Sequence, residues 1–255
     1  MVYGRERCNR EQEFMVKGFY ETLFNRRDVR GEFRGDTIPD DVLARLLIAA
    51  HHAPSVGLSQ PWNFIVVQSD ETKARVHREF CKANDEAANL FEGERQQQYH
   101  QLKLQGILEA PVNLCVTCDR TRGGEVVLGR THQRDMDLYS TVCAVQNLWL
   151  AARAEGLGMG WVSIIKPEAL SDIFQLPESV VPIAYLCLGY VDFFHERPEL
   201  EEKGWEKRAA LKELVFLERW GQSPSDSRLF DALDSQQDWP LNFMLPSQAK
   251  YESGD

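Results

Sequence analysis

The chain has 255 residues, 43% of them hydrophobic and 27% charged, with a formal net charge of -10. These values are typical of a globular protein and argue against general nucleic-acid binding, which needs a basic surface. The first ten residues are polar, and the longest apolar run, residues 180–191, contains a proline and is shorter than the roughly 20 residues that cross a bilayer. We therefore expect a cytoplasmic protein with no nucleic-acid or membrane partner.

The first part of the chain predicts two helices. Apolar residues at helical intervals indicate an amphipathic helix over residues 11–25, directly before Arg26. Thr37 resembles the capping residue of a second helix, because an acidic residue, Asp40, follows three positions later. This second helix should end at the residue before Pro54.

A loop, a strand and a long polar segment come next. Two prolines keep residues 54–62, here called the proline loop, out of a regular helix or a central strand. Residues 63–68 form a buried strand by their apolar pattern. Asp70 begins a third helix. Residues 82–109 are polar and helix-prone, so we interpret them as either a solvated helical excursion or a lid over a site.

The second half alternates between strands and helices. The pattern predicts a strand over 111–118, a helix over 136–155, a glycine-rich turn leading into a strand over 156–164, a helix over 167–174 and a strand over 182–190. The helix over 136–155 is apolar on nearly every side, which is typical of a helix at the centre of a core or buried by a partner subunit. The glycine-rich turn is not a dinucleotide-binding fingerprint, since it follows a helix and lacks the G-x-G-x-x-G order.

The six cysteines do not predict disulfides or a metal site. No secretion signal is visible, so disulfides are not expected. Cys115 and Cys118 have the spacing of a redox or metal half-site, but no second pair or histidine cluster completes it. They lie in a β-branched, apolar run where residues three apart point to opposite faces of a strand. We interpret them as buried core residues.

The most unusual local feature is a cluster of three arginines around one aspartate. Arg26, Arg27 and Arg30 surround Asp28 in a chain that is acidic overall. A guanidinium suits the oxygens of phosphates and carboxylates, and like charges held together favour an incoming anion. The alternative is that these are cations placed at the C-terminal end of a helix, where the helix dipole favours them.

Several motifs in order resemble the nitroreductase-like flavoprotein family. They are the arginine cluster, a loop with the sequence Ala-Pro-Ser-Val-Gly at 53–57, a glycine-rich turn with the motif Gly-Trp-Val-Ser-Ile at 160–164, and a basic segment at 203–208. One branch of that family, which makes 5,6-dimethylbenzimidazole for cobalamin, is similar in more detail. Its Arg-Arg-Asp-Val-Arg motif has aspartate in place of serine, as at Asp28, and it shares the motifs at residues 115–124, 128–132 and 136–147.

The resemblance covers residues from about 12 to 220 and implies an α+β fold. We expect a small, mainly antiparallel mixed sheet flanked by helices, in an intertwined homodimer with one FMN at each of two subunit interfaces. Residues 1–220 would form a single nitroreductase-like domain in which 82–109 is a lid-like helical excursion. Residues 221–255 would be a polar C-terminal extension, loosely ordered or wrapped around a neighbour.

The resemblance also implies a flavin site. Its arginines would hold the FMN phosphate and polar ring edge, the proline loop would approach the flavin from the partner subunit, and the glycine-rich turn would lie along the ring. The expected flavin-binding residues are Arg26, Arg27, Asp28, Val29, Arg30, Pro54, Ser55, Gly57, Gly158, Gly160, Trp161, Ser163 and Arg208. Asp28, in a proton-transfer or orienting role, and Ser163, near the flavin N5, are the expected catalytic residues.

The implied reaction uses reduced FMN as a substrate and O2 as a co-substrate, with no metal. The products would be 5,6-dimethylbenzimidazole and erythrose 4-phosphate, and a separate flavin reductase would supply the reduced FMN. One alternative is an NAD(P)H-dependent nitro or flavin reductase on the same fold. Another is a flavin-binding protein without turnover. Leu58 and Ser59 differ from the bulkier pair expected in the branch, which affects the wall beside the flavin.

Overall fold

A four-stranded antiparallel sheet is the centre of residues 26–194. Its strands lie in the order β1-β2-β4-β3, so β1 and β3 are the edges. The strands are β1 (Trp62–Val67), β2 (Val112–Asp119), β3 (Leu157–Val162) and β4 (Val180–Tyr190). The sequence placed β1, β2 and β4 to within two residues, and the α+β fold with a mainly antiparallel sheet is confirmed.

The structure is a computed structural model that describes residues 18–222 and 227–244. The described residues form two compact units: residues 26–194 in one, and residues 18–25, 195–222 and 227–244 in the other. The expected domain division at residue 220 stays a prediction. The part of the predicted first helix before residue 18 lies outside the described residues; residues 18–25 are helical (α1).

Five helices belong to the unit that contains the sheet. They are α2 (Asp40–His51), α3 (Asp70–Ala88), α4 (Gly93–His100), α5 (Met136–Ala154) and α6 (Pro167–Phe174). Helices α2 and α5 cover one face of the sheet, and α3 and α6 cover the other. The alternating pattern of β2 explains the two layers, because Leu114 and Val116 pack toward α2 and α5 while Cys115 packs toward α3 and α6.

The cysteine interpretation is confirmed. Cys115 and Cys118 are both fully buried and are free thiols. Burial raises the pKa of Cys115 to about 12, because an apolar interior disfavours the thiolate. Neither residue has the exposed, electropositive surroundings of a reactive cysteine.

Two local predictions differ from the structure. Helix α2 begins after Pro39 and has no side-chain cap, so the predicted Thr37 cap is wrong. The φ angle of Pro39 suits the start of a helix. The carboxylates of two aspartates in the first turn then stabilise that end by interacting with the helix dipole. The predicted glycine-rich turn is also shorter than expected, because β3 begins at Leu157 and includes Gly158 and Gly160.

Helix α5 is buried on one side, and its burial by a partner subunit stays a prediction. One side is buried against the sheet and α2, including Ala144, Val145 and Leu148. The opposite side is open in the protomer, where Tyr139 is 54% exposed and Val142 is 41% exposed.

The second unit contains both described ends of the chain. Besides α1 it contains α7 (Glu199–Glu202) and α8 (Arg228–Ser235), followed by a 3-10 turn at Trp239–Phe243. The Trp239 ring packs edge-on against Tyr20 with centroids 4.7 Å apart, and Asn25 Nδ2 donates to the Phe243 carbonyl at 2.7 Å. Residues 239–243 thus pack on α1 of their own chain, and the loosely ordered or neighbour-wrapping extension expected over 221–255 stays a prediction. No helix among the residues described is long and apolar enough to cross a membrane.

Candidate functional site

The arginine cluster lies along the outer edge of β3. The Val29 N–H donates to the Met159 carbonyl at 3.1 Å, and Asp28 pairs with Met159 in a parallel bridge. The cluster therefore extends the sheet by a short parallel pairing. Its backbone is fixed by the same type of hydrogen bond that holds the strands together.

The two glycines of β3 make this close pairing sterically feasible. A Cβ atom at Gly160 would lie 2.0 Å from the Val29 carbonyl oxygen, and one at Gly158 would lie 2.5 Å from the Val191 side chain. Neither glycine has a positive φ, so backbone freedom is not the reason for them. Gly160 thus makes room for the backbone of the cluster and Gly158 for the side chains of Val29 and Val191, and their expected contact with a flavin stays a prediction.

The carboxylate of Asp28 is held from two sides. Its Oδ1 accepts the backbone N–H of Trp161 at 3.0 Å, and its Oδ2 accepts Arg30 Nε at 3.0 Å and Nη2 at 2.7 Å. The Asp28 side chain is 30% exposed and that of Arg30 is 14% exposed. The fork of Arg30 thus fixes the rotamer of the aspartate, while the carboxylate keeps access to solvent.

The other two arginines have different surroundings. Arg26 stacks its guanidinium over the Trp149 ring at 4.5 Å, a cation–π contact. Trp149 Nε1 donates to the Arg27 carbonyl at 3.2 Å, and Arg27 itself is only 8% exposed. Arg26 and Arg30 are therefore the members of the cluster that are partly open to a ligand.

Ser163 is exposed directly after β3 ends. It comes two residues after Trp161, which places its Cα about 7 Å farther along the strand direction. The N–H of Trp161 binds Asp28, so the two predicted catalytic residues belong to the same end of one strand. Trp161, whose indole is half-buried, therefore connects Asp28, through its N–H, to the strand end that carries Ser163.

Residues 82–109 contain the end of α3, helix α4 and an irregular return over 101–109 that packs on the arginine cluster; their role as a lid stays a prediction. Arg30 Nη1 donates to the Lys103 carbonyl at 3.3 Å, and a Cβ at Gly106 would lie 2.6 Å from the Arg30 carbonyl oxygen. Toward its tip, the excursion is stabilised by Tyr99, which donates to Asn84 Oδ1 at 2.8 Å. Arg30 therefore contacts both Asp28 and the base of the excursion.

The proline loop is tightly bonded on itself and on α5. Ser55 Oγ accepts the Gln60 N–H at 3.1 Å, and Ser140 Oγ accepts the Val56 N–H at 3.1 Å. A Cβ at Gly57, where φ is 55°, would lie 2.8 Å from the Val127 side chain. Pro54 is exposed and Ser55 is half-buried. The loop thus packs against residues 127–129 of the same chain.

Sequence reasoning missed a network of side chains behind this loop. Asp137 in the first turn of α5 is fully buried, with its Oδ2 2.9 Å from Arg130 Nη1 and 3.1 Å from Arg120 Nε. Arg122 donates to the proline loop from the same segment. A carboxylate at an otherwise apolar position of a buried helix was the available signal, because such a charge needs a cationic partner.

The protomer does not bring all predicted residues into one pocket. The proline loop leads into β1, whereas the arginine cluster and Ser163 belong to β3. These strands are opposite edges of the sheet, three spacings or about 14 Å apart. Arg208 is exposed in an irregular segment of the second unit. Its role in binding stays a prediction.

Comparison with known proteins identifies the family. The sequence pattern of the Nitroreductase family matches residues 23–190. The chain is 43% identical over 189 residues to the 5,6-dimethylbenzimidazole synthase of Rhodospirillum rubrum, covering 74% of this chain and 89% of the relative. It is 40% identical over 187 residues to a protein of the same name from Rhodobacter capsulatus, covering 73% of this chain and 90% of the relative.

A solved structure shows the same fold. Iodotyrosine deiodinase bound to FMN and 3-iodo-L-tyrosine superimposes with a TM-score of 0.62 at 20% identity, covering 80% of this chain and 99% of that one. At this identity the match concerns the fold alone. Taken with the sequence matches, it leads to one conclusion: the chain belongs to the nitroreductase family.

Proposed function

We propose that this protein is a 5,6-dimethylbenzimidazole synthase, which uses O2 to fragment reduced FMN into 5,6-dimethylbenzimidazole and erythrose 4-phosphate. The observation that carries the proposal is Asp28, an acidic residue fixed inside the arginine cluster by Trp161 and Arg30. Relatives named for this activity are 36–43% identical to the chain. A relative named as a putative NAD(P)H nitroreductase is 28% identical.

The residues at β3 fit FMN. Arg26 and Arg30 are partly exposed guanidiniums, which suit a phosphate or the polar edge of a flavin. The half-buried indole of Trp161 suits a flat ring. Reduced FMN would supply both the electrons for O2 and the carbon atoms of the product.

The chain's own residues would have separate tasks. Arg26 and Arg30 would bind the anionic substrate, and Arg30 would hold Asp28 in one rotamer. Asp28 would accept or donate a proton at its solvent-accessible carboxylate, as a positioned general acid–base. The exposed hydroxyl of Ser163 would donate a hydrogen bond at the ring.

Nitroreductase-fold proteins are commonly dimers, and we place the complete site at a homodimer interface. The proline loop and the arginine cluster border opposite edges of the sheet in one protomer. Apolar side chains near the loop are exposed, including Leu58 at 77% and Leu128 at 85%, and so is the open side of α5 with Tyr139. A second subunit would cover these groups and supply its loop to the arginine cluster.

Subunit mixing tests the dimer. Asp28→Asn and a variant with Pro54 and Ser55 replaced by glycine should each be inactive. Mixed after co-unfolding and refolding, they should recover about one quarter of wild-type activity, because half of the dimers would carry one intact site. A monomer in sedimentation velocity, or no recovery in a confirmed mixed dimer, would contradict the shared site.

The decisive experiment for activity mixes the protein with chemically reduced FMN, admits air and seeks dimethylbenzimidazole by mass spectrometry. Asp28→Asn and Ser163→Gly should bind FMN and form at least about 100-fold less product. Asp36→Asn, which changes a surface carboxylate paired with Arg34, is the matched control. Steady NAD(P)H oxidation with intact FMN would indicate the reductase alternative, and unchanged flavin would indicate a binding protein.

A separate flavin reductase completes the proposal. With NADH and oxidised FMN, the protein alone should give no dimethylbenzimidazole, and an added reductase should restore it. Because the reductase needs NADH to supply reduced FMN, we place the protein in the cytoplasm, which cell fractionation would check. Product from NADH without the reductase would remove the need for this partner.

A further inference from the structure

Arg122 joins the proline loop to the first strand of the sheet. Its Nη1 donates to the carbonyl oxygens of Gln60 at 3.0 Å and Trp62 at 2.9 Å, and its Nη2 donates to Asn63 Oδ1 at 2.6 Å. These three acceptors surround the point where the loop ends and β1 begins. One planar guanidinium thus fixes both sides of the junction, which the single ammonium of a lysine cannot do with the same geometry.

The loop needs such fixing because its backbone is strained. Gly57, Leu58 and Gln60 have φ angles of 55°, 52° and 46°. Left-handed backbone is unfavourable for residues with a Cβ, and strain of this kind persists only where the surroundings enforce it. Leu58 is 77% exposed, so burial of its side chain does not compensate. The hydrogen bonds around the loop must do so.

The segment that presents Arg122 is itself anchored. Arg120 and Arg130 form ion pairs with Asp137, whose side chain is 1% exposed in the first turn of α5. Asp119, just before this segment, accepts from both the N–H and the hydroxyl of Thr121. Arg122 therefore donates to the loop from a fixed base, so movement of the segment does not relieve the strain.

We propose that Arg122 is a positioning residue for FMN binding, which holds the 55–60 loop in the strained shape that contacts the flavin. The inference rests on the proposed function, since it assumes that this loop borders a flavin. Arg122 would touch no reacting atom. It would act through the backbone carbonyls of Gln60 and Trp62, from the anchored segment of residues 120–134.

The test compares Arg122→Gln, Arg122→Lys and the control Arg134→Gln. Arg134 is exposed in the same segment, and its replacement removes the same charge while keeping the backbone carbonyl that accepts from Arg120. The rate of amide hydrogen exchange in the loop, measured without flavin, shows whether the loop opens more often in each variant. Quenching of oxidised FMN fluorescence gives the dissociation constant, and product formation at varied reduced FMN separates kcat from KM.

In Arg122→Gln we expect about tenfold faster exchange at Val56 and Gln60, with peptides from β2 and α5 unchanged. The dissociation constant for FMN and the KM for reduced FMN should rise about tenfold with kcat unchanged. Arg122→Lys should retain part of the affinity that Arg122→Gln loses. Unchanged exchange, or equal effects in Arg134→Gln, would overturn the proposal. Faster exchange with unchanged FMN affinity would overturn it too, while product from the wild type would show that the proposed function still stands.

Discussion

The arginine cluster and the proline loop are both expected to touch one flavin, but the chain fixes them in different ways. Residues 26–30 are fixed by main-chain pairing with β3. Glycines without positive φ let these two segments of the chain approach closely. The loop at 55–60 is fixed by side-chain donors and acceptors on Ser55, Arg122 and Ser140, and three of its residues have left-handed backbone. One region is part of the sheet, whereas the other is a loop held by side chains.

This difference indicates how each region should respond to change. Where backbone packs directly on backbone, no flexible side chain can move to make room for an added atom. A substitution that adds an atom there should therefore be strongly destabilising. A region held by several separate hydrogen bonds should lose them one at a time, with modest effects.

Gly160→Ala should have the largest effect. The new Cβ would lie 2.0 Å from the Val29 carbonyl oxygen, and the cluster must leave β3 to relieve the clash. We expect about 3 kcal/mol lower free energy of unfolding in urea and loss of FMN binding. The control is Gly35→Ala, where no atom lies within 4 Å of the added Cβ. A variant as stable as the wild type would mean that the cluster is not tightly paired with β3.

Trp149 tests the side-chain support of the cluster. Trp149→Phe keeps a ring beneath Arg26 but removes the donor to the Arg27 carbonyl, which should lower the free energy of unfolding by about 1 kcal/mol. Trp149→Leu also loses the cation–π contact and should lower it by about a further 1 kcal/mol. Trp220→Phe, at a residue that is 91% exposed, should have no effect. Equal losses in the phenylalanine and leucine variants would exclude a contribution from the ring.

Ser140→Ala should affect the loop and leave the cluster unchanged. Ser140 donates to the Met136 carbonyl and accepts the Val56 N–H, while Ser171 makes only the equivalent helix bond, to Pro167. Ser140→Ala should therefore lower the free energy of unfolding by up to about 1 kcal/mol and speed hydrogen exchange at Val56. Ser171→Ala should change neither quantity. If both variants behave alike, the bond to the loop is unimportant.

Alkaline pH should give the smallest effect, through buried thiols on the sheet. Burial raises the pKa of Cys115 and of Cys187 to about 12 from a usual 9.0. The folded state thus keeps protons that the unfolded state releases, so stability is complete below pH 9 and falls as the pH rises toward 12. At pH 9 each thiol should account for a loss of about 0.4 kcal/mol relative to pH 7.

Urea unfolding of Cys187→Ala at pH 7 and pH 9 checks the thiol effect, with the exposed Cys81→Ser as the control. The stability of Cys187→Ala should depend less on pH than that of the wild type, while Cys81→Ser should match the wild type. The same pH dependence in all three proteins would contradict the assignment.

Sequence patterns predicted the sheet well because its strands are short, mainly apolar runs. The buried run of β2 and the helix at 167–174 needed only local periodicity. The patterns failed where distant residues decide the structure. Nothing local shows that Gly160 faces the Val29 carbonyl, or that Arg122 reaches a loop about 60 residues earlier. The family motifs pointed to the right segments, but the contacts between those segments come from the fold.

The pairing at β3 has a consequence for solubility. An uncovered edge strand offers unpaired N–H and C=O groups to other molecules, which promotes aggregation. Here the Val29 N–H covers the Met159 carbonyl, and the Asp28 carboxylate takes the Trp161 N–H where a neighbouring strand would place a carbonyl. The aspartate proposed for chemistry thus also occupies a donor at the β3 edge of the sheet that another chain would otherwise pair with. A substitution that frees residues 26–30 should therefore cause misassembly during expression as well as inactivity.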